Sequence, residues 1–124
     1  MSSRSTLYLD GFVLPVAKKN LRKYRRLARL AGKVWREHGA LEYREFIIDD
    51  QKVKGMISFP KMVKTRPGEV VFLSYITYRS KADRKRINAK VMKDPRLAEM
   101  LDAKALPFEV KRMAYGGFRV AVDL

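Results

Sequence analysis

The sequence contains no cysteine, and histidine occurs only once, at His38. A chain without cysteine has no disulfide, no thiolate metal ligand and no cysteine nucleophile, and a single histidine excludes motifs built from several. No apolar run approaches the roughly 20 residues that a membrane-spanning helix needs, and no signal-peptide core opens the sequence. We therefore expect a cytoplasmic protein with no membrane segment and no metal site.

Acidic residues are also scarce, because 13 of them stand against 28 lysines and arginines, which leaves a net charge of +15. The 124 residues are 47% apolar and 33% charged. This composition is typical of a folded chain, and the length suits one compact core. We expect a single domain over residues 1–124. The excess of basic residues is the feature of the composition that indicates a function.

Residues 16–38 show the clearest helical pattern in the chain. The apolar residues recur at helical spacing and fall within an arc of about 140°. They are Leu21, Tyr24, Leu27, Ala28, Ala31, Val34 and Trp35. The other side carries nine basic residues, and Glu37 is the one acid in the segment. Gly39 follows as a residue free to adopt the left-handed conformation that ends many helices.

A second helix is predicted over residues 80–93. Ser80 and Asp83 have the spacing of a capping box, in which the serine hydroxyl accepts from first-turn amides. The segments 16–38 and 80–94 carry net charges of +8 and +4, so together they hold most of the +15. The charge is therefore concentrated on two helices.

Four extended segments surround these helices and give the order β-α-β-β-α-β. They are residues 6–14, 40–48, 69–79 and 111–122. Pro15 is expected to end the first strand, and Gly116-Gly117 indicates a bulge or a close backbone approach in the last. The order predicts an α+β, ferredoxin-like protomer with an antiparallel sheet and both helices on one face.

The connecting segments are mostly irregular. Residues 49–68 are predicted to be mainly loop, with a short extended piece around 56–59. Residues 95–107 are expected to contain a helical turn anchored by Leu97, Met100 and Leu101.

Both sides of the third strand are apolar, which indicates a partner. The two alternating sets are Val70, Phe72, Ile76 and Tyr78 on one side and Val71, Leu73, Tyr75 and Thr77 on the other. Helices can cover only one face of the sheet, and an open apolar face of this size is uncommon on a soluble monomer. A second copy packed across a two-fold axis would cover it. We infer a homodimer.

Several short stretches match a known family. They are Asp10–Val13, Gly39–Leu41 with Glu45, Asp94–Arg96, Pro107–Phe108, Lys111–Met113 and Tyr115–Phe118. The chain resembles the YbaA-like family of small uncharacterised bacterial proteins, within the dimeric α/β-barrel superfamily. This resemblance implies a ferredoxin-like protomer whose sheet joins a partner's sheet into a barrel, and the family has no established activity. The superfamily includes cofactor-free monooxygenases and haem-degrading enzymes, so a pocket between sheet and helices is implied by analogy alone.

One functional hypothesis is binding of RNA or another polyanion by the basic outer helices. Arg22, Arg25, Arg26 and Arg29 are the candidate residues, because such a row neutralises phosphates and releases counterions. The alternative is an ordinary solvated helix face. The aromatic signature of an RNA-recognition motif is absent from the third strand, which excludes that motif.

The competing hypothesis is a small-ligand protein or cofactor-free enzyme with a pocket near His38, Tyr43 and Glu45. If Asp10, Glu45 and Arg112 converge, they form a polar site with shifted pKa values. The alternatives are a structural ion pair, or solvent exposure, and for His38 a packed or capping residue beside Trp35. No Ser-His-Asp order, P-loop or dinucleotide fingerprint is present, so no cofactor is expected and the question of enzymatic activity stays open.

Overall fold

The computed structural model describes residues 6–102 and 106–124. These residues contain a four-stranded antiparallel sheet in the order β2-β3-β1-β4. The elements are β1 (Tyr8–Ala17), α1 (Leu21–Glu37), β2 (Glu42–Ile47), α2 (Phe59–Met62), β3 (Glu69–Tyr78), α3 (Lys81–Met92), α4 (Pro95–Met100) and β4 (Ala114–Arg119). Short 3-10 turns cover Lys18–Asn20 and Val110–Arg112. This is the ferredoxin-like α+β arrangement, as predicted.

The first strand is longer than predicted, because Pro15 lies inside β1 instead of ending it. Lys18 N donates to Gly68 O at 2.8 Å. Since bonding sides alternate along a strand, the even-numbered residues of β1 bond to β3 and the odd-numbered ones face β4. Pairing with β4 ends at Val13, so the amide hydrogen that Pro15 lacks is not needed there.

The last strand is shorter than predicted and begins only at Ala114, after the 3-10 turn. Gly116 and Gly117 pair in regular register with Gly11 and Asp10, so there is no bulge. A Cβ on Gly117 would lie 2.5 Å from the Tyr8 hydroxyl. The glycine pair therefore marks a close approach, which was the second of the two predicted alternatives.

The ends of α1 and α3 follow their local signals. Gly39, just beyond α1, has a φ of +118°, and its N–H donates to Arg36 O at 3.1 Å. The Ser80 hydroxyl accepts from Asp83 N at 3.1 Å and caps α3. The predicted first helix starts too early, because residues 16 and 17 belong to β1 and α1 begins at Leu21.

The connection between β2 and β3 contains the helical turn α2, and the predicted extended piece is wrong. The Ser58 hydroxyl accepts from Lys61 N at 3.2 Å, and Pro60 lies in the first turn, where a missing amide hydrogen is harmless. Val63, just after α2, is buried against Val13 and Val71. The predicted turn after Asp94 is present as α4, which buries Leu97 and Met100.

The main core lies between the sheet and the helices. It joins the inward side chains of β1 and β3 to α1, α3 and α4. Its buried members are Leu14, Val16, Tyr24, Ala28, Val34, Ala40, Phe72, Ile76, Tyr78, Ile87, Val91, Leu97 and Met100. Burial of these side chains removes apolar area from water and so stabilises the fold.

The opposite face of the sheet is apolar and largely open. Leu73 is 43% exposed, Phe46 47% and Phe118 57%. The rings of Phe46 and Tyr75 stack with their centroids 6.0 Å apart. We call this patch of Phe46, Leu73, Tyr75 and Phe118 the open face. Its presence confirms that β3 is apolar on both sides.

No helix within residues 6–102 and 106–124 has the length and apolar character needed to cross a membrane.

Candidate functional site

An open cleft of about 680 Å³ lies between α1 and the edge strand β2. Its apolar lining comes from both elements and from the neighbouring strand β3. The lining residues are Tyr24, Ala28, Gly32, Leu41, Tyr43 and Phe72, with Arg25, Arg29, Lys33, Arg36, Glu42, Arg44 and Glu45 as the charged members. Cations outnumber carboxylates five to two in this cleft, so its electrostatic character favours an anion.

Glu45 is the polar centre of the cleft. Its Oε1 accepts from the Tyr24 hydroxyl at 2.7 Å and from the Ser74 hydroxyl, and its Oε2 accepts from the Tyr43 hydroxyl at 2.8 Å. No ion pair within the described part of the chain includes Glu45. The carboxylate is therefore held by three neutral donors instead of a cation.

The two tyrosines are fixed as hydrogen-bond donors. Burial, with the adjacent Glu45 carboxylate as the next cause, raises the pKa of Tyr24 and of Tyr43 far above the usual value. Burial disfavours the phenolate, and a neighbouring negative charge disfavours it further. Both hydroxyls consequently stay protonated and keep donating to Glu45 at neutral pH.

Register and one glycine place these groups. Glu45 lies directly opposite Ser74 in the β2–β3 ladder, and the alternation of β2 puts Tyr43 on the same side as Glu45. A Cβ on Gly32 would lie only 2.8 Å from Tyr43 Cδ1. Gly32 therefore lets the Tyr43 ring lie against the backbone of α1.

Sequence reasoning missed Tyr24 and Ser74. Tyr24 falls in the apolar stripe of α1, and only its contact with Glu45 shows that its hydroxyl has a separate role. Ser74 carried a usable signal, since it is the one small hydroxyl residue in the apolar run 70–76.

His38 does not line the cleft, so the predicted grouping of His38 with Tyr43 and Glu45 is wrong. It caps the end of α1, and its Nε2 lies 2.9 Å from Asp94 Oδ2. Arg96 also binds Asp94 at 2.9 Å and reaches Glu37 at 2.7 Å. Hydrogen bonds from Arg96 and then from His38 lower the pKa of Asp94 below its usual range. His38 thus contacts the residue that precedes α4 instead of the cleft.

Asp10 forms a second, separate polar cluster. It is 2% exposed and accepts from Tyr78 Oη at 3.0 Å, Tyr115 Oη at 2.7 Å and Arg84 Nε at 3.2 Å. These partners come from β3, β4 and α3. The cluster ties the edge strand β4 to the helical layer, and every charge in it is compensated.

Arg112 pairs with a third carboxylate. Its Nη1 and Nη2 lie 2.7 and 2.8 Å from the two carboxylate oxygens of Glu69. Asp10 lies opposite Ile76 in the β1–β3 ladder. Ile76 and Glu69 are seven residues apart on β3, which corresponds to roughly 23 Å along the strand. Asp10, Glu45 and Arg112 therefore do not converge, and Arg112 forms an ion pair, which was one of the alternatives. Across residues 6–102 and 106–124, no three acidic or histidine side chains are grouped to hold a metal ion.

The outer face of α1 carries a row of arginines without acidic partners. Arg22, Arg25, Arg26 and Arg29 are exposed, and no ion pair in the described ranges includes them. With Lys18, Lys19 and Lys33 they line a groove of about 870 Å³. We call this surface the basic groove. Arg25, Arg29 and Lys33 also line the Glu45 cleft, so the two features share one wall.

A family model described as "Protein of unknown function (DUF1428)" matches residues 7–110. The chain belongs to this family. The uncharacterized protein YbaA of Escherichia coli strain K12 is 38% identical over 116 residues, which cover 94% of this chain and 97% of YbaA. The same values hold for YbaA of Shigella flexneri. The resemblance to YbaA-like proteins is confirmed, and all of the residues that line the cleft lie inside the DUF1428 match.

Solved structures resemble this DUF1428 chain in fold. A putative antibiotic biosynthesis monooxygenase from Nitrosomonas europaea has a TM-score of 0.59 at 11% identity, covering 98% of this chain and 96% of that one. A NIPSNAP family protein from Agrobacterium tumefaciens has a TM-score of 0.58 at 12% identity, covering 94% and 87%. A dimeric ferredoxin-like protein from an uncultured marine organism has a TM-score of 0.53 at 8% identity, covering 95% and 99%. Identities this low show a shared fold and nothing about chemistry.

We predict that Gly32→Ala destabilises the protein even though alanine favours helices. The helix gains about 1 kcal/mol from the substitution, but forcing a methyl group against the Tyr43 ring costs about 1–3 kcal/mol. Urea unfolding measures the net change, which should be a loss of about 1 kcal/mol. In a Tyr43→Ala background the ring is gone, and the same substitution should stabilise. Stabilisation by Gly32→Ala in the wild-type background would contradict the close contact.

We predict that Arg112 and Glu69 act as a structural pair. Hydrogen bonds from Arg112 lower the pKa of Glu69 to about 2 from the usual 4.5. A depressed folded-state pKa gives stability that is present above pH 4.5 and is lost as the pH falls toward 2. Arg112→Gln should therefore lower the unfolding free energy at pH 7 by about 2 kcal/mol and by less at pH 3.

Urea unfolding at both pH values measures this effect. Arg86→Gln is the matched control, because Arg86 is exposed and pairs with Asp83 at 2.7 Å within α3, in a surface pair that does not involve Glu69. An Arg112→Gln effect that does not change between pH 7 and pH 3 would argue against ion pairing with Glu69.

Proposed function

We propose that this protein is a cytoplasmic, single-domain homodimer that binds RNA or a similar polyanion through the basic groove on α1. The observation that carries the proposal is the row of Arg22, Arg25, Arg26 and Arg29 along the basic groove, none of which has an acidic partner among the residues that the structure describes. Elsewhere in the described residues, Arg66, Arg84, Arg86, Arg96 and Arg112 each pair with a carboxylate, whereas Arg44, Arg79 and Arg119 have no ion pair. The four α1 arginines differ from these three because they line one groove together and so present several cations to the same external anion.

The spacing of these arginines suits a phosphate backbone. The 17 residues of α1 rise about 25 Å at 1.5 Å per residue, and the i, i+4 pairs Arg22/Arg26 and Arg25/Arg29 lie along that length. Like charges at this spacing repel and cost helix stability, which an anionic ligand would relieve. Contacts to phosphates without base contacts give binding that depends on salt and has little sequence preference.

The homodimer is supported by the open face. Phe46, Leu73, Tyr75 and Phe118 present contiguous apolar area on the side of the sheet away from α1 and α3. A second copy of the same face would remove it from water and pair the two sheets. The dimeric ferredoxin-like neighbour is consistent with such an assembly. This arrangement leaves α1 of each protomer outside, with both basic grooves accessible.

A second candidate function is binding of a small ligand, with or without cofactor-free catalysis, in the Glu45 cleft. The observation in its favour is a partly buried carboxylate that faces a cleft and is held only by hydroxyl groups. Of the five predicted pocket residues, Tyr43 and Glu45 line the cleft, whereas Asp10, His38 and Arg112 do not. Tyr24 and Ser74 replace them as the groups around Glu45.

We predict that Arg22→Glu with Arg26→Glu weakens RNA binding by at least tenfold in low salt, because phosphate contacts are lost and repulsion is added. Lys81→Glu with Lys85→Glu on α3 is the matched control, since it makes the same change in net charge on another exposed helix. Fluorescence anisotropy with a labelled single-stranded RNA measures both variants over a salt series. Equal losses in the two variants would point to net charge instead of the groove, and no RNA binding by the wild type would refute the proposal.

We predict that Tyr75→Asp dissociates the dimer, because it places a charge in the centre of the open face. Tyr75→Phe is the matched control and should leave the dimer intact, since the ring that stacks on Phe46 is kept. Light scattering coupled to size-exclusion chromatography gives the mass across a concentration series. A wild-type protein that stays monomeric at high concentration would contradict the homodimer.

A further inference from the structure

The wall shared by the cleft and the basic groove limits what kind of molecule fits the cleft. Arg25, Arg29 and Lys33 succeed one another at four-residue intervals on α1, over a rise of about 12 Å. No ion pair in the described residues includes any of the three. Arg36, at the end of the row, already donates hydrogen bonds to the carbonyl oxygens of Ala40 and Leu41. The first three positions are therefore the ones available to an anionic group.

Side chains that border the core form an apolar floor of the cleft next to these cations. Ala28, Gly32 and Leu41 contribute no polar side-chain group, and Phe72 packs against the Tyr24 ring with centroids 4.5 Å apart. A flat apolar body would be covered here on one side by α1 and on the other by β2. Ligand pockets combine such apolar walls with a few polar groups that set the orientation.

Glu45 has unused capacity as an acceptor. An ionised carboxylate offers about four acceptor positions. Within the described part of the chain, Oε1 accepts from Tyr24 and Ser74, whereas Oε2 accepts only from Tyr43. Because the surrounding hydroxyls are already donating to it, Glu45 can recognise only a further donor, such as an amino or hydroxyl group.

We propose that the cleft binds a small aromatic phosphate monoester that carries an amino or hydroxyl group at the end remote from the phosphate. The phosphate lies against Arg25, Arg29 and Lys33, the ring lies between α1 and β2, and the far donor bonds to Glu45 Oε2. This inference rests on the second candidate function, the small-ligand cleft, and it is independent of RNA binding.

Two phosphates that differ only in the donor test the assignment of Glu45. Isothermal titration calorimetry should show that the wild-type protein binds 4-aminophenyl phosphate about tenfold more tightly than phenyl phosphate, as a charge-assisted hydrogen bond provides. Glu45→Gln should reduce this preference to threefold or less while still binding phenyl phosphate. Equal affinity of the wild-type protein for the two compounds overturns the role given to Glu45.

Two pairs of arginines on the same helix test the phosphate position. Arg25→Gln with Arg29→Gln should weaken phenyl phosphate binding by tenfold or more, because both line the cleft. Arg22→Gln with Arg26→Gln removes the same charge outside the cleft and should change it by less than twofold. Equal weakening by the two pairs, or no saturable binding of either phosphate to the wild type, overturns the inference.

The same variants separate this inference from the proposed polyanion binding. RNA affinity should fall with both arginine pairs, since all four arginines line the basic groove. RNA binding without phosphate binding rejects the cleft ligand alone. Phosphate binding without RNA binding supports the cleft and rejects the polyanion proposal.

Discussion

Burial of one sheet face under α1 is the constraint from which the other features follow. The apolar stripe of α1 contacts the inward side chains of β1 and β3, with Tyr24, Ala28 and Val34 buried. Once that stripe is fixed against the sheet, the basic residues between its members must project outward or toward β2. The basic groove and the cationic wall of the Glu45 cleft are therefore two consequences of one helix orientation.

Two carboxylates lie in the layer between sheet and helices, and each is compensated differently. Asp10 accepts hydrogen bonds from one guanidinium and two phenol groups, so the adjacent guanidinium balances its charge. Glu45 has only hydroxyl donors and borders a cleft. A carboxylate that gives no stabilising ion pair within the chain is more expensive to keep than an apolar residue. That cost is the physical reason for which we propose a ligand-binding role for Glu45.

Periodicity and end signals predicted most of the fold. The element order, the cap at Ser80, the left-handed Gly39 and the two-sided β3 all follow from local patterns, and each is present. Pro15 was mispredicted because strand pairing depends on neighbours that local patterns do not show. The turn α2 was missed although Ser58 and Pro60 are local signals for the start of a helix. The site was predicted in part: Tyr43 and Glu45 share an alternation that is visible in the sequence. The contacts of Tyr24 and Ser74 with Glu45 depend on tertiary packing and are not visible there, and the same holds for the pairing of Arg112 with Glu69.

The glycine in the middle of α1 has a consequence for how this family varies. The side chains of positions 32 and 43 compete for the same space. This space holds either a side chain on the helix or a full aromatic ring on the strand, but not both. Homologous chains with a larger residue at the first position must carry a smaller one at the second, so the two columns of an alignment would covary. A cleft whose shape depends on such a pair can change its ligand through one compensated exchange, without any alteration of the sheet.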